Sequence, residues 1–173
     1  MPLLVHITPE KNVAAIRRSG IGIARHMQGV FATPVLPNFV VTHQWLRELK
    51  RFRVLIDGHA AHTMWGVYFR VRDDEPVLFG HFGREPMTLP AARAVGEFMA
   101  AADPLGMEIV LPRRIAAKEI HRIRRLPRNV GWRYEPKVRE RFFCRCVVCN
   151  PAGSINSKRK WRAWEDGQAS AES

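Results

Sequence analysis

Long apolar runs are missing from this chain of 173 residues. No stretch approaches the roughly 20 consecutive apolar residues that a membrane-spanning helix needs. The opening MPLLVHITPEK has no basic flank, and its apolar run is too short for a secretory leader, so a cytoplasmic location is expected. Cysteine is scarce, and Cys144, Cys146 and Cys149 are the whole set. Three thiols so close together argue against a disulfide scaffold. There is no internal repeat, no P-loop, no GxGxxG and no HExxH. Without a glycine-rich turn after the first apolar segment, a Rossmann-type dinucleotide site is not expected. Acid is also in short supply. Asp plus Glu number 16 against 28 Lys plus Arg, a net charge of +12 with neutral histidines. Such a surface suits a polyanion or an acidic protein partner, with solubility alone as the plain alternative.

What is present reads as α+β. Residues 2–7 form a short buried strand. Thr8 can cap a following helix, with Pro9 at its first position and Gly20 just past its end. Further strands are expected at 29–33, 53–57, 65–72, 77–82 and 106–112. Helices are expected at 39–51 and 89–101. The strands 65–72 and 77–82 read as a hairpin around the turn DDEP. EIHRIRRL (119–126) fits a strand or a short helix, and alternation favours the strand. Early helices among many short strands argue against a doubly wound sheet.

Two residues break the apolar pattern. His6 ends the first apolar run, where it is either a satisfied core residue or part of a site. Glu108 lies inside the strand GMEIVLP. If Met107, Ile109 and Leu111 face the core, Glu108 and Val110 take the other face. A carboxylate there points to solvent or lines a groove.

The stretches LLVHITPEKNVAAIRRSGI and GMEIVLPRRIAAKEIHRI resemble the opening and the catalytic strand of ADP-ribosyltransferases. The likeness is closest to DarT-type enzymes that modify DNA bases, and more distant to KptA-type RNA 2'-phosphotransferases. The resemblance covers residues 3–33 and 106–123. It implies split antiparallel sheets with flanking helices, and NAD as co-substrate. It implies cleavage of the nicotinamide–ribose bond and transfer of ADP-ribose, with nucleic acid as acceptor. Glu108 would be the catalytic carboxylate, and His6 would hold the ribose and carboxamide side of NAD. Thr8 would line the same cleft, and Phe31 would stack on nicotinamide. The family's basic residue after the second strand is absent from ATPVLPNFVV (32–41). Arg47, Arg51 or Arg25 would then supply the diphosphate contact. A carboxylate suits this chemistry, because positive charge develops on the ribose as nicotinamide leaves.

Other features remain open. His59 and His62 with Asp57 could bind a metal or form a polar loop. Arg70 and Arg72 share a strand face, suited to phosphate or to a solvated edge. C-x-C-x-x-C at 144–149 suits structural zinc, with His121, His81, His59 or His62 as the fourth ligand. An iron–sulfur cluster and free thiols are the alternatives. RRIAAKEIHRIRRLPRN (113–129) contributes Arg122, Arg124 and Arg125 to a nucleic-acid surface. SKRKWR adds Lys158, Arg159, Lys160 and Trp161, since cations neutralise phosphates and indoles stack on bases. The expected organisation is a transferase-like domain at 1–126, a cysteine-rich basic module at 127–165 and a disordered tail at 166–173. Two other functions fit the same residues. One is an inactive zinc-containing nucleic-acid-binding protein of the same fold. The other is an interaction partner for an acidic protein.

Overall fold

The computed structural model describes residues 1–23, 28–50 and 63–127. The strands are β1 (Leu3–Pro9), β2 (Val30–Pro34), β3 (Met64–Arg70), β4 (Pro76–His81), β5 (Met87–Pro90), β6 (Met107–Leu111) and β7 (Ile120–Arg125). They join in one seven-stranded sheet in the order β5-β4-β6-β2-β1-β3-β7. Every pairing is antiparallel. The helices are α1 (Val13–Ser19), α2 (Phe39–Thr42), α3 (described over 46–50) and α4 (Ala91–Ala100). Among the described residues no helix is long and apolar enough to cross a membrane.

The sheet is continuous but unevenly joined. β1 pairs with β3 over seven positions, from Leu3↔Arg70 to Pro9↔Met64. Its ladder to β2 has only two, Leu4↔Pro34 and Val5↔Thr33. The expected split sheets are therefore one sheet with a narrow seam, four strands on one side and three on the other.

Alternation assigns the two faces. Leu4, Val30, Ala32, Val67, Phe69, Val77, Phe79, Ile109 and Leu111 lie on one face and form the main core. α1 covers it with Ile16, and α4 with Ala91, Ala94 and Phe98, which recur at helical spacing. The second face carries a smaller cluster of Ile7, Leu46, Met64 and Leu126. Leu46 brings α3 onto that face.

Several expectations shift. β1 runs on through Thr8 and Pro9, and a 3-10 turn (Glu10–Asn12) precedes α1. Thr8 therefore caps nothing, because the neighbouring β3 extends the ladder past it. Gly20 does end the helix, at φ 78°, with its N–H on the Ile16 carbonyl. A Cβ at Gly20 would collide with the Ile115 backbone carbonyl. The expected helix 39–51 is broken at residues 43–45, where side chains reach distant partners. β3 and β4 do not pair, so the hairpin expectation fails. β1 and β7 occupy both edges of β3, and the DDEP turn carries the chain to the far side of the sheet. β5 was not foreseen, because its four residues are mostly exposed and lack a buried face. The strand expected at 53–57, the 127–165 module beyond Pro127 and the tail lie outside the described residues.

Candidate functional site

Glu108 is the second residue of β6 and pairs with Gly80 of β4. Its strand neighbours Met107 and Ile109 point the other way, toward the core. β6 pairs with β2 through Phe31↔Val110 and Ala32↔Ile109. Glu108 thus shares a face with Phe31, Thr33 and Val110, with Phe31 as its diagonal neighbour on the adjacent strand. The carboxylate is half-buried and has no hydrogen bond or ion pair among the described residues. Burial pushes its pKa from the ordinary 4.5 up to about 7.

The approach to Glu108 is held from two sides. Gln44 accepts from the Gly106 N–H at 2.5 Å and donates to the Pro104 carbonyl at 3.1 Å. Trp45 Nε1 donates to the Met107 carbonyl at 3.2 Å. From β4, His81 Nε2 donates to the Leu105 carbonyl, and the Phe82 N–H donates to the Gly106 carbonyl. The Trp45 and Phe82 rings meet with centroids 5.4 Å apart. Gly106, at φ 88°, supplies the left-handed turn on which these contacts converge. The break in the 39–50 helical pattern thus fixes the start of the Glu108 strand.

His6 lies at the seam. The β1–β2 ladder stops at Val5, and at the next residue the imidazole takes over. His6 Nδ1 lies 2.8 Å from the Phe31 carbonyl. That oxygen can only accept, so Nδ1 carries the proton. Burial lowers the His6 pKa and outweighs the opposing effect of this bond, so the ring is neutral. Strict alternation would put His6 on the core face, opposite Glu108. It does so: His6 pairs with Val67 in the β1–β3 ladder, which runs on to Pro9, and from that core face its imidazole bonds the β2 backbone where the β1–β2 ladder has ended. The structure therefore joins His6 to Phe31 and puts Phe31 on the face of Glu108. Among the described residues no hydrogen bond links His6 to Glu108 directly.

Thr8 departs from its expected role. It is 2% exposed and its hydroxyl accepts from Asn12 Nδ2 at 3.1 Å, so it does not line an open cleft. Arg47 is half-buried, with Nε lacking any partner among the described residues. Arg51 and Arg25 lie outside the described residues.

A second polar cluster was not foreseen. Tyr68 Oη accepts from Arg124 Nε at 2.9 Å and bonds His43 Nε2 at 2.7 Å. His43 Nδ1 lies 2.9 Å from the Phe39 carbonyl. Guanidinium only donates and a carbonyl only accepts, so every proton in the chain is assigned. Arg124 donates to Tyr68, Tyr68 to His43, and His43 to Phe39. Burial lowers the His43 pKa, the Phe39 carbonyl opposes this, and the Arg124 charge adds to the lowering. The Tyr68 ring lies over Gly66, where a Cβ would meet it at 3.0–3.2 Å. Gly66 pairs with Arg124, so the ring reaches the guanidinium diagonally. The sequence signal was faint, since only the Phe39–His43 spacing of four hints at it.

Arg122 and Arg125 are exposed on β7, and Arg124 is half-buried. His121 is exposed. Among the described residues no group of three or more His, Cys, Asp or Glu is placed to hold a metal. Cys144, Cys146, Cys149, His59, His62, Lys158, Arg159, Lys160 and Trp161 lie outside the described residues. No protein-family model matches the chain, and neither curated proteins nor solved structures give a match.

Proposed function

We propose that the protein is an NAD-consuming ADP-ribosyltransferase whose acceptor is nucleic acid. One observation carries the reading: a half-buried carboxylate, Glu108, without a partner among the described residues, on the strand next to β2 and its seam with β1. An anion there would stabilise the oxocarbenium-like ribose as nicotinamide leaves. With its pKa near 7, it would also accept a proton from the incoming nucleophile. The narrow seam between four strands and three is the nearest counterpart in this single sheet to the split sheets implied by the resemblance. Phe31, on the Glu108 face, is suited to stack on nicotinamide. His6 acts here as a positioning residue that fixes the β2 backbone under Phe31. Arg47, whose Nε has no partner among the described residues, is the described candidate for the NAD diphosphate.

Incubation with NAD labelled in the adenylate, and with DNA or RNA, tests the reading. Label transfer and nicotinamide release are expected from the parent protein and abolished in Glu108→Gln. Unchanged turnover in that variant removes the mechanism.

A binding protein without chemistry is the second reading. It is favoured by the absence of Arg and Lys from residues 32–41. Salt-dependent nucleic-acid binding with no affinity for NAD would establish it instead.

We further propose a structural zinc on Cys144, Cys146 and Cys149, supported by their spacing. Elemental analysis of the purified chain should give about one zinc per chain, as expected for a closed structural site of this type. A metal-free protein with three titratable thiols overturns the zinc.

A further inference from the structure

Arg124 is held by aromatic groups rather than by an acid. Its Nε donates to Tyr68 Oη at 2.9 Å. Its guanidinium carbon lies 5.1 Å from the Tyr68 ring centroid and 5.9 Å from that of Phe39. No carboxylate pairs with it among the described residues, and its terminal nitrogens have no partner there. Tyr68 is fixed in turn by His43 and by its seat over Gly66. The result is a pre-oriented fork whose outer donors are unspent among the described residues. Such a fork suits the two oxygens of a phosphate. Arg122 lies two residues along the same strand, on the same face, exposed and unpaired among the described residues. Phe39, 38% exposed, lies beside Arg124.

We infer that Arg124, Arg122 and Phe39 form a platform for single-stranded nucleic acid, with phosphates on the two guanidinium groups and an unpaired base against Phe39. An acidic peptide could use the cations but has no reason to need the exposed ring. A duplex hides its base faces, so a single strand uses both halves of the platform. The chain's charge of +12 favours either form of polyanion over a neutral partner. This deepens the transferase reading by naming the surface that takes the acceptor strand. It rests on that reading only for what the bound strand is for.

Fluorescence anisotropy with labelled single strands of about 12 nucleotides, matched to common single-strand site sizes, tests the platform. DNA, RNA and the corresponding duplex are titrated with the full chain at several salt concentrations. Arg122→Ala and Arg124→Ala should each weaken binding and reduce the salt slope by about one. Arg124→Lys keeps the charge without the fork and should also weaken binding. Phe39→Ala should weaken single-strand binding about tenfold with the slope unchanged. Arg122 and Phe39 are exposed, so their variants should keep the parent circular dichroism and thermal midpoint. Parent-like binding by the Arg122 and Phe39 variants overturns the platform. So does equal binding of duplex with Phe39 silent, or displacement of the strand by an acidic peptide at lower concentration. Glu108→Gln separates the two claims, since it should lose transfer and keep strand binding. If it keeps transfer, the Glu108 mechanism fails while the platform stands.

Discussion

His6 Nδ1 stands 2.8 Å from the Phe31 carbonyl, one residue beyond the last rung between β1 and β2. A side chain thus replaces a backbone donor at the point where the sheet opens. Without the imidazole the part-buried Phe31 carbonyl would lose this partner, which is costly.

Replacing that donor should be measurable. His6→Ala is expected to lower stability by about 1 kcal/mol or somewhat more, the loss of a part-buried hydrogen bond. His6→Gln, which can still present an N–H, should recover part of the loss. Urea unfolding of the three proteins measures it. Equal midpoints would mean that the seam does not depend on the imidazole.

Glu108 makes a prediction that changes with pH. Its folded-state pKa is about 7, above the ordinary 4.5. Between those values the folded state holds a proton that the unfolded state has lost. Stability therefore falls as pH rises from 4.5 to 7, and is level above. Glu108→Gln removes this loss. It should match the parent near pH 4 and be more stable by about 1–2 kcal/mol at pH 8, after discounting for partial solvent screening. Activity should follow the opposite course, since the anion is the working form. Transfer should rise through an inflection near pH 7. A flat profile across that range would remove Glu108 from the chemistry.

The sequence made the strands more legible than their partners. Val30, Ala32, Ile109 and Leu111 lie on the core face, and period-two patterning records that directly. The opposite orientation of Glu108 could be read for the same reason. Pairing was less visible, because the DDEP turn looks like a hairpin turn whether or not its flanking strands meet. Only competition for the edges of β3 decides the matter. Helix 39–51 failed similarly. Its apolar spacing is helical, but Gln44 and Trp45 bond to the strand entrance 60 or 62 residues away. The His43–Tyr68–Arg124 chain was invisible, since its members meet only once β3 and β7 are side by side.

That hydrogen-bond chain should respond to acid. The folded-state pKa of His43 is lowered by burial. The unfolded state thus takes up a proton near 6.5 that the folded state refuses, and stability is lost as pH falls below that value. His6 acts with the same sign. Protonated His43 could no longer accept from Tyr68 and would place a second cation near Arg124. Tyr68→Phe leaves His43 Nε2 and Arg124 Nε without this partner. It is expected to cost about 1–3 kcal/mol at pH 7.5. Thermal melts of parent, His43→Phe and His6→Phe from pH 5 to 8 separate the two histidines. An acid response that survives in both variants would place its origin elsewhere.

Arg113 gives the last test, because one guanidinium serves two acids from separate elements. It donates to Glu75, in the turn after β3, and to Glu119, in the 3-10 turn (Ala117–Glu119) before β7. Glu75 is only 12% exposed in its side chain, so removal of Arg113 strands a charge with little access to water. Arg113→Met should cost about 1–2 kcal/mol, less than a fully buried pair because Arg113 keeps solvent contact. Glu119 carries the pH signature. Its hydrogen bonds to Arg113 hold its pKa below the ordinary value, an effect that outweighs burial. Its stabilisation is present above the unfolded-state pKa and is lost as pH falls through the folded-state value. The gap between parent and Arg113→Met should therefore be widest at neutral pH and shrink in acid. A gap of constant size from pH 7 to 3 would mean that Arg113 contributes packing rather than charge.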